Sequence, residues 1–147
     1  MVADPTGPFD PDSLFEMARQ QADHARAPYS GLHVGAALWS DSRIFAGCNV
    51  ENASYGLTIC AERGAVMNWA AAGSPGAPSA IAIVARNARG NWVTAMPCGA
   101  CRQVLSELPG SSELQVWIWN GQEGESIALG ELLPRAFGPA DLTGRED

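Results

Sequence analysis

Runs of apolar residues and changes in their period predict five strands. Residues 80–85 form an unbroken apolar run, which is typical of a central strand buried on both faces. At 114–119 aliphatic side chains alternate with Gln or Trp, as expected for a strand whose two faces have different surroundings. Shorter strands are predicted at 33–39 and 43–48, joined by a polar turn, and at 126–129. The link before the last strand is so short that it favours an antiparallel return.

Helices are predicted in the segments outside these strands. A Ser13-x-x-Glu16 capping box indicates the head of the first helix, which must end before Pro28. The other predicted helices lie at about 60–73, 98–108, 130–137 and 139–142. Residues 1–11 and 143–147 are predicted to be loose tails. No long linker divides the chain, so residues 1–147 are predicted to form a single domain, a three-layer α/β/α sandwich around a mixed five-stranded sheet.

The composition narrows the classes of function. The chain has 147 residues and a formal net charge of −7, and all nine basic residues are arginine. An acidic chain without a basic run binds a phosphate backbone poorly, so we expect no nucleic-acid partner. The first ten residues lack the basic and apolar segments of a signal peptide, and no later run is long enough to span a bilayer. We therefore expect a cytoplasmic protein with no membrane partner.

Two short stretches with cysteine carry the candidate chemistry. Glu62 lies two residues after Cys60, and Cys98 and Cys101 follow Pro97 at a spacing that puts both thiols on one face of a helical turn. Three thiolates leave the fourth corner of a zinc tetrahedron open for water, which is the pattern of a catalytic site. Two disulfides would suit a small secreted scaffold, which this chain is not. A thioredoxin-like redox pair would explain neither Cys60 nor Glu62.

Four stretches closely resemble the family of small, homotetrameric cytidine deaminases. They are PYSGLHVGAAL (28–38), GCNVENASYGLTICAER (47–63), MPCGACRQVLSEL (96–108) and LLPRAFGPADL (132–142). The resemblance implies one zinc ion per chain and hydrolytic deamination of cytidine and 2′-deoxycytidine to uridine and 2′-deoxyuridine, a step of pyrimidine salvage. It also implies a homotetramer with active sites at subunit interfaces. In the wider superfamily, an antiparallel last strand is typical of enzymes that act on free nucleosides.

The predicted reaction assigns roles to five residues of the two cysteine stretches. The predicted zinc ligands are Cys60, Cys98 and Cys101. Glu62 is the predicted catalytic residue, which takes a proton from water and delivers it to N3 of the base and then to the leaving amino group. Arg63 is expected to offset the negative charge of the thiolates, and the resemblance implies the same role.

Other residues are predicted to bind the substrate. Asn49 and Glu51 alternate in an extended loop, and the matching residues of the family bind the ribose 3′-hydroxyl. The rest of the predicted substrate-binding set is Val50, Ala61, Leu32 and Phe137, of which Phe137 covers the site of a neighbouring subunit. Leu32 stands where the family usually has a Phe against the pyrimidine, so the loss of the ring is expected to open space near the base.

Two other functions remain open at this point. One is an aminohydrolase for a modified cytosine nucleoside, such as blasticidin S or an N4-substituted cytidine. The other is a binding or scaffold protein whose zinc is purely structural. Relative rates on those nucleosides and on cytidine would test the first, and a four-coordinate metal site without exchangeable water would support the second.

Overall fold

Six strands form one mixed sheet in the computed structural model, which describes residues 8–144. They are β1 (His33–Ser40), β2 (Arg43–Cys48), β3 (Ala80–Arg86), β4 (Trp92–Val93), β5 (Gln115–Trp119) and β6 (Gly124–Ala128). The order is β2-β1-β3-β5-β6, with β4 beside β3. β3 and β5 run parallel, and the other neighbouring pairs in the described chain are antiparallel. The mixed sheet and the antiparallel last pair are confirmed, and the two-residue β4 adds a sixth strand to the five expected.

Helices cover both faces of this sheet. They are α1 (Pro11–His24), α2 (Ala61–Ala71), α3 (Gly99–Ser106), α4 (Leu129–Leu132) and α5 (Pro139–Thr143), with 3₁₀ turns at Tyr55–Leu57 and Ser111–Glu113. α1 packs on one face and α2 and α3 on the other, which confirms the three-layer α/β/α class. Within residues 8–144, none of the helices combines the length and apolar character needed to cross a membrane.

β3 separates two apolar clusters, because successive side chains of a strand point to opposite faces. Ile81 and Ile83 pack towards α2 and α3, whereas Ala82 and Val84 pack towards α1. All of 80–85 is buried, as the unbroken apolar run predicts. The small residues on the α1 side leave room for the helix to lie close to the sheet.

Two glycines allow helices to approach the two faces of the sheet closely. A Cβ on Gly35 of β1 would lie 1.8 Å from the carbonyl oxygen of Ala18 in α1. A Cβ on Gly47 of β2 would lie 2.5 Å from the main-chain nitrogen of Ala65 in α2. Any larger residue would therefore push the helix outwards. At Gly47 that helix is the one that begins directly after Cys60.

The predicted start of the first helix is wrong. The N-cap is Asp10, whose carboxylate accepts hydrogen bonds from the main chain of Asp12 (3.2 Å) and Ser13 (3.1 Å) and from the Ser13 hydroxyl (2.7 Å). Ser13 is thus the third helical residue, and its hydrogen bond to Asp10 lowers the pKa of that carboxyl group. Pro11 is helical rather than part of a loose tail. The rest of that predicted tail up to residue 7, and residues 145–147 of the other, lie outside the described residues.

Other boundaries differ at helix ends. The helix predicted at 98–108 spans Gly99–Ser106, and the one predicted at 130–137 is limited to Leu129–Leu132. After α4 the main chain leaves the helical region, and Arg135 has a positive φ of 53°. The helix predicted to stop at Gly73 ends at Ala71, and Gly73 has a φ of 91°, a value that favours glycine.

Candidate active site

The three predicted ligands lie at the N-termini of two helices. Cys60 is the N-cap of α2, Cys98 is the N-cap of α3, and Cys101 is the third residue of α3. Neither N-cap thiol accepts a capping hydrogen bond from the main chain of its own helix. The thiols are therefore free to meet one another, and the partial positive charge of a helix N-terminus favours their ionised form.

The three sulfur atoms form one cluster although Cys60 and Cys98 are 38 positions apart. The Sγ atoms of Cys60 and Cys98 are 3.9 Å apart, those of Cys98 and Cys101 are 3.5 Å apart, and all three lie within 4.8 Å of one another. Zinc–sulfur bonds of about 2.3 Å at tetrahedral angles place two sulfurs about 3.8 Å apart. The cluster therefore fits a zinc ion without rearrangement of its helices.

The protonation of this cluster is uneven. Hydrogen bonding with Cys101, together with the neighbouring Arg63, lowers the pKa of Cys60 to about 5. The same hydrogen bonding with Cys60, together with burial, raises the pKa of Cys101 above its ordinary range. Ionisation is therefore easier at Cys60 than at Cys101. Because a metal binds the thiolate and not the thiol, binding to all three sulfurs requires release of protons.

Arg63 supplies positive charge beside this sulfur cluster. Its Nη2 atom donates hydrogen bonds to the main-chain oxygen of Thr58 at 2.9 Å and to Sγ of Cys60 at 3.6 Å. The hydrogen bond to Cys60 raises the pKa of the guanidinium group. The side chain is therefore oriented by the loop before α2 and directed towards the thiolate.

Glu62 is buried at the same helix N-terminus. It is the second residue of α2, and only 5% of its surface is exposed. Burial, followed by the negative charge of Cys60, raises the pKa of its carboxyl group. A carboxyl group whose pKa is raised towards neutrality is suited to both accept and return a proton.

A cavity of about 190 Å³ connects these groups with the loop after β2. Seven of the predicted site residues line it, namely Leu32, Asn49, Glu51, Cys60, Ala61, Glu62 and Cys98. Its other lining residues are Ser30, Val34, Thr58, Ile83, Ala95 and Met96. None of these six residues was predicted from the sequence. Four of them fall inside the stretches that carry the family resemblance, and this location is the signal that could have identified them: Ser30, Val34, Thr58 and Met96.

The polar side chains of the loop are already bonded to the chain itself. The Oδ1 atom of Asn49 accepts from the main-chain N–H of Val34, and its Nδ2 atom donates to the main-chain oxygen of Leu32, both at 2.8 Å. The Oε2 atom of Glu51 accepts from the main-chain N–H groups of Tyr29 (2.9 Å) and Ser30 (3.2 Å). Both side chains therefore hold the entry to β1 in place on one side of the cavity.

Val50 and Phe137 are the predicted substrate-binding residues that do not line this cavity. Val50 pairs through its main chain with Ile59, and its side chain, 43% exposed, lies in a different surface depression. Phe137 is 57% exposed and lies beside α5. Asn49 and Glu51 face the cavity while Val50 faces away, because the loop is extended there.

Comparisons with known proteins agree with this geometry. Residues 10–116 match the family described as "Cytidine and deoxycytidylate deaminase zinc-binding region", a range that includes the three cysteines and Glu62. A cytidine deaminase of Halalkalibacterium halodurans is 42% identical over 136 residues, which cover 91% of this chain and 98% of the relative. A cytidine deaminase of Mycobacterium tuberculosis is 44% identical over 137 residues, covering 90% of this chain and 96% of the relative.

Solved structures show the same relationship. The crystal structure of cytidine deaminase from Burkholderia pseudomallei matches with a TM-score of 0.78 and 45% identity, over 88% of this chain and all (100%) of that chain. The crystal structure of cytidine deaminase from Mycobacterium tuberculosis matches with a TM-score of 0.74 and 44% identity, over 88% of this chain and 98% of that chain. A three-layer sandwich with a cluster of three cysteines beside a buried glutamate defines the class of zinc-dependent deaminases. Within that class, the chain belongs to the cytidine deaminase family.

Proposed function

We propose that this protein deaminates cytidine and 2′-deoxycytidine to uridine and 2′-deoxyuridine, with zinc as cofactor and release of ammonia. The observation that carries the proposal is the position of the buried Glu62 next to the three-thiol cluster, on the wall of one cavity. The relatives at 42–44% identity support cytidine as the substrate and do not favour a modified nucleoside or a purely structural zinc site.

In this proposal Cys60, Cys98 and Cys101 hold the zinc ion. When bound, zinc supplies Lewis-acid chemistry that lowers the pKa of water. Three thiolate ligands outnumber the two positive charges of the ion, and Arg63 offsets the excess through its hydrogen bond to Cys60.

Glu62 is the proposed proton carrier. Its carboxylate accepts a proton from the attacking water and delivers it to N3 of the cytosine ring. It then takes the proton of the new C4 hydroxyl and passes it to the leaving amino nitrogen, so that ammonia departs as the C4 carbonyl forms. Burial favours this cycle, because it raises the pKa of the carboxyl group and so makes the carboxylate a better proton acceptor.

Asn49 and Glu51 are proposed to bind the ribose 3′-hydroxyl. Each side chain keeps hydrogen-bonding capacity: Asn49 retains one N–H and one lone pair, and Glu51 retains one lone pair on Oε1. Leu32 and Ala61 form wall contacts with the nucleoside in this proposal. Val50 contributes through its main-chain pairing with Ile59, which keeps its two neighbours directed into the cavity.

The active unit is proposed to be a homotetramer with active sites at subunit interfaces. In support, large apolar side chains are exposed near the cavity or on the C-terminal segment, namely Tyr55, Leu57, Phe137 and Leu142. Phe137 would then cover the site of a neighbouring subunit. We further propose that residues 1–147 form one domain, since strands from both halves of the chain share one sheet, and that the protein acts in the cytoplasm.

An ultraviolet assay of cytidine loss tests the function directly. Cytidine should be consumed with release of ammonia, and 1,10-phenanthroline should abolish the activity whereas its non-chelating 1,7 isomer should not. Zinc added after removal of the chelator should restore turnover. Faster turnover of an N4-substituted cytidine than of cytidine would favour the modified-nucleoside alternative, and a zinc-loaded protein inactive on all of them would favour the structural one.

A further inference from the structure

Ser30 connects two parts of the cavity wall that are proposed to contact the nucleoside. Its Oγ atom donates a hydrogen bond to Oε1 of Glu51 and accepts one from the main-chain N–H of Leu32 at 3.0 Å. Ser30 itself lines the cavity, as do both of its partners. One hydroxyl group therefore links the carboxylate on the sugar side with the residue on the base side.

The direction of this hydroxyl is determined by its two partners. The N–H of Leu32 occupies a lone pair of Oγ, so the hydroxyl hydrogen is available for Oε1 of Glu51. The two main-chain donors from Tyr29 and Ser30 both reach the other oxygen, Oε2. Among the hydrogen bonds of the described chain, the one from the Ser30 hydroxyl is therefore the bond that fixes Oε1.

These donors also fix the chemical form of Glu51. The hydrogen bond from Ser30, ahead of those from the main chain, lowers the pKa of the Glu51 carboxyl group. An ionised carboxylate accepts hydrogen bonds and cannot donate them. A ligand at this carboxylate must therefore present a donor, and a sugar hydroxyl does so.

We propose that Ser30 is a positioning residue, which holds the Glu51 carboxylate in the orientation that accepts a hydrogen bond from the 3′-hydroxyl of the nucleoside. This inference rests on the proposed function. It differs from a general supporting role, because loss of the Ser30 hydroxyl should weaken recognition of one atom of the substrate. Contacts with the base should be affected much less.

The test compares cytidine with 3′-deoxycytidine in steady-state kinetics of the zinc-loaded enzyme. Ser30→Ala should lower kcat/KM for cytidine about tenfold, as expected for one lost charge-assisted hydrogen bond, and change that for 3′-deoxycytidine less than about twofold. The ratio of the two should fall about tenfold. Ser30→Thr keeps the hydroxyl and should restore the ratio, and Ser126→Ala, on the exposed strand β6, should leave it at the parent value.

Two further variants separate the possible outcomes. Glu51→Gln should lower the same ratio at least as much as Ser30→Ala. If Glu51→Gln lowers the ratio and Ser30→Ala does not, the Ser30 inference is overturned and the sugar role of Glu51 stands. If neither variant changes the ratio, or if the parent enzyme does not turn over cytidine, the Ser30 inference and the sugar role of Glu51 both fail. An equal loss of kcat/KM for both nucleosides in Ser30→Ala would also overturn the inference. If the alanine variant folds poorly, Ser30→Cys, whose thiol is a weaker donor of similar size, allows the same comparison.

Discussion

The thiol cluster and the sugar-facing loop lie on the same cavity but differ in how far the chain itself satisfies their polar atoms. The sulfurs of Cys60, Cys98 and Cys101 are hydrogen-bonded among themselves and to Arg63. Asn49 and Glu51 instead bind the main chain at the entry to β1. The thiol cluster therefore needs a cation to satisfy its sulfurs. The loop is already held by its own hydrogen bonds, and the nucleoside would only use the donors and acceptors that remain.

This difference predicts how mutations behave in the two regions. A change in the cluster should remove a cofactor and hence the whole reaction. A change in the loop should weaken one substrate contact and also loosen the loop, because the same atoms do both.

Replacement of a cluster thiol should have the largest effect. In Cys98→Ala and Cys101→Ala we expect loss of zinc and of cytidine turnover together, with a lower temperature of unfolding, because metal binding contributes to folding. Cys48→Ala is the matched control, since Cys48 lies outside the cluster, and it should keep its zinc. Atomic absorption and thermal unfolding measure the two quantities. Full zinc occupancy in both cluster variants would contradict the assigned ligands.

Glu62→Gln should separate the chemistry from the metal. Turnover should fall by about 10²–10⁴, as is typical when a general acid–base is lost, while zinc content stays at the parent value. Thermal stability should be equal or higher, because burial of this carboxyl group is unfavourable to its charged form. Glu113→Gln, at an exposed position, should match the parent in all three measurements. Near-normal turnover in a zinc-loaded Glu62→Gln protein would reject the role.

Asn49→Ala should affect both recognition and stability. We expect kcat/KM for cytidine to fall by a factor that corresponds to about 1–3 kcal/mol, since a hydrogen bond is lost and buried partners remain. Unfolding should occur at lower denaturant, because Leu32 and Val34 lose their main-chain partner. Asn91→Ala in an exposed turn is the control. A loss of activity with unchanged stability would show that the loop does not depend on Asn49 for its shape.

Free cytosine offers a test of the loop without mutation. If the loop recognises ribose, kcat/KM for cytosine should lie far below that for cytidine in the parent enzyme, and Asn49→Ala should lower it much less than that for cytidine. Comparable turnover of the base and the nucleoside would mean that this side of the cavity does not bind the sugar.

Leu32→Phe should have the smallest effect. An aromatic edge against the base adds about 0.5–1.5 kcal/mol beyond its buried area, so KM for cytidine should decrease a few-fold. The larger ring should also reduce the space for substituents, so kcat/KM for cytidine relative to an N4-alkyl cytidine should rise. A ratio that is unchanged, or that moves towards the bulky substrate, would mean that Leu32 does not shape the pocket.

The local sequence determined those features that depend on neighbouring residues. Alternation and apolar runs predicted the strands, because the period of side chains along a strand is fixed by the backbone. The short link between β5 and β6 limited the return to an antiparallel pair. The spacing of Cys98 and Cys101 placed both thiols on one turn, and the short stretch 60–63 supplied a third thiol and a carboxylate. The family resemblance extended the site to Asn49 and Glu51.

Only the tertiary structure decided which distant groups meet. Cys60 and Cys98 approach to 3.9 Å because α2 and α3 pack side by side on one face of the sheet, and Gly47 lets α2 lie close. Ser30 meets Glu51 across 21 positions, and Val50 turns away between two residues that face the cavity. Such contacts depend on how helices and strands pack against one another. They leave no periodic or spacing signal by which one sequence alone would reveal them.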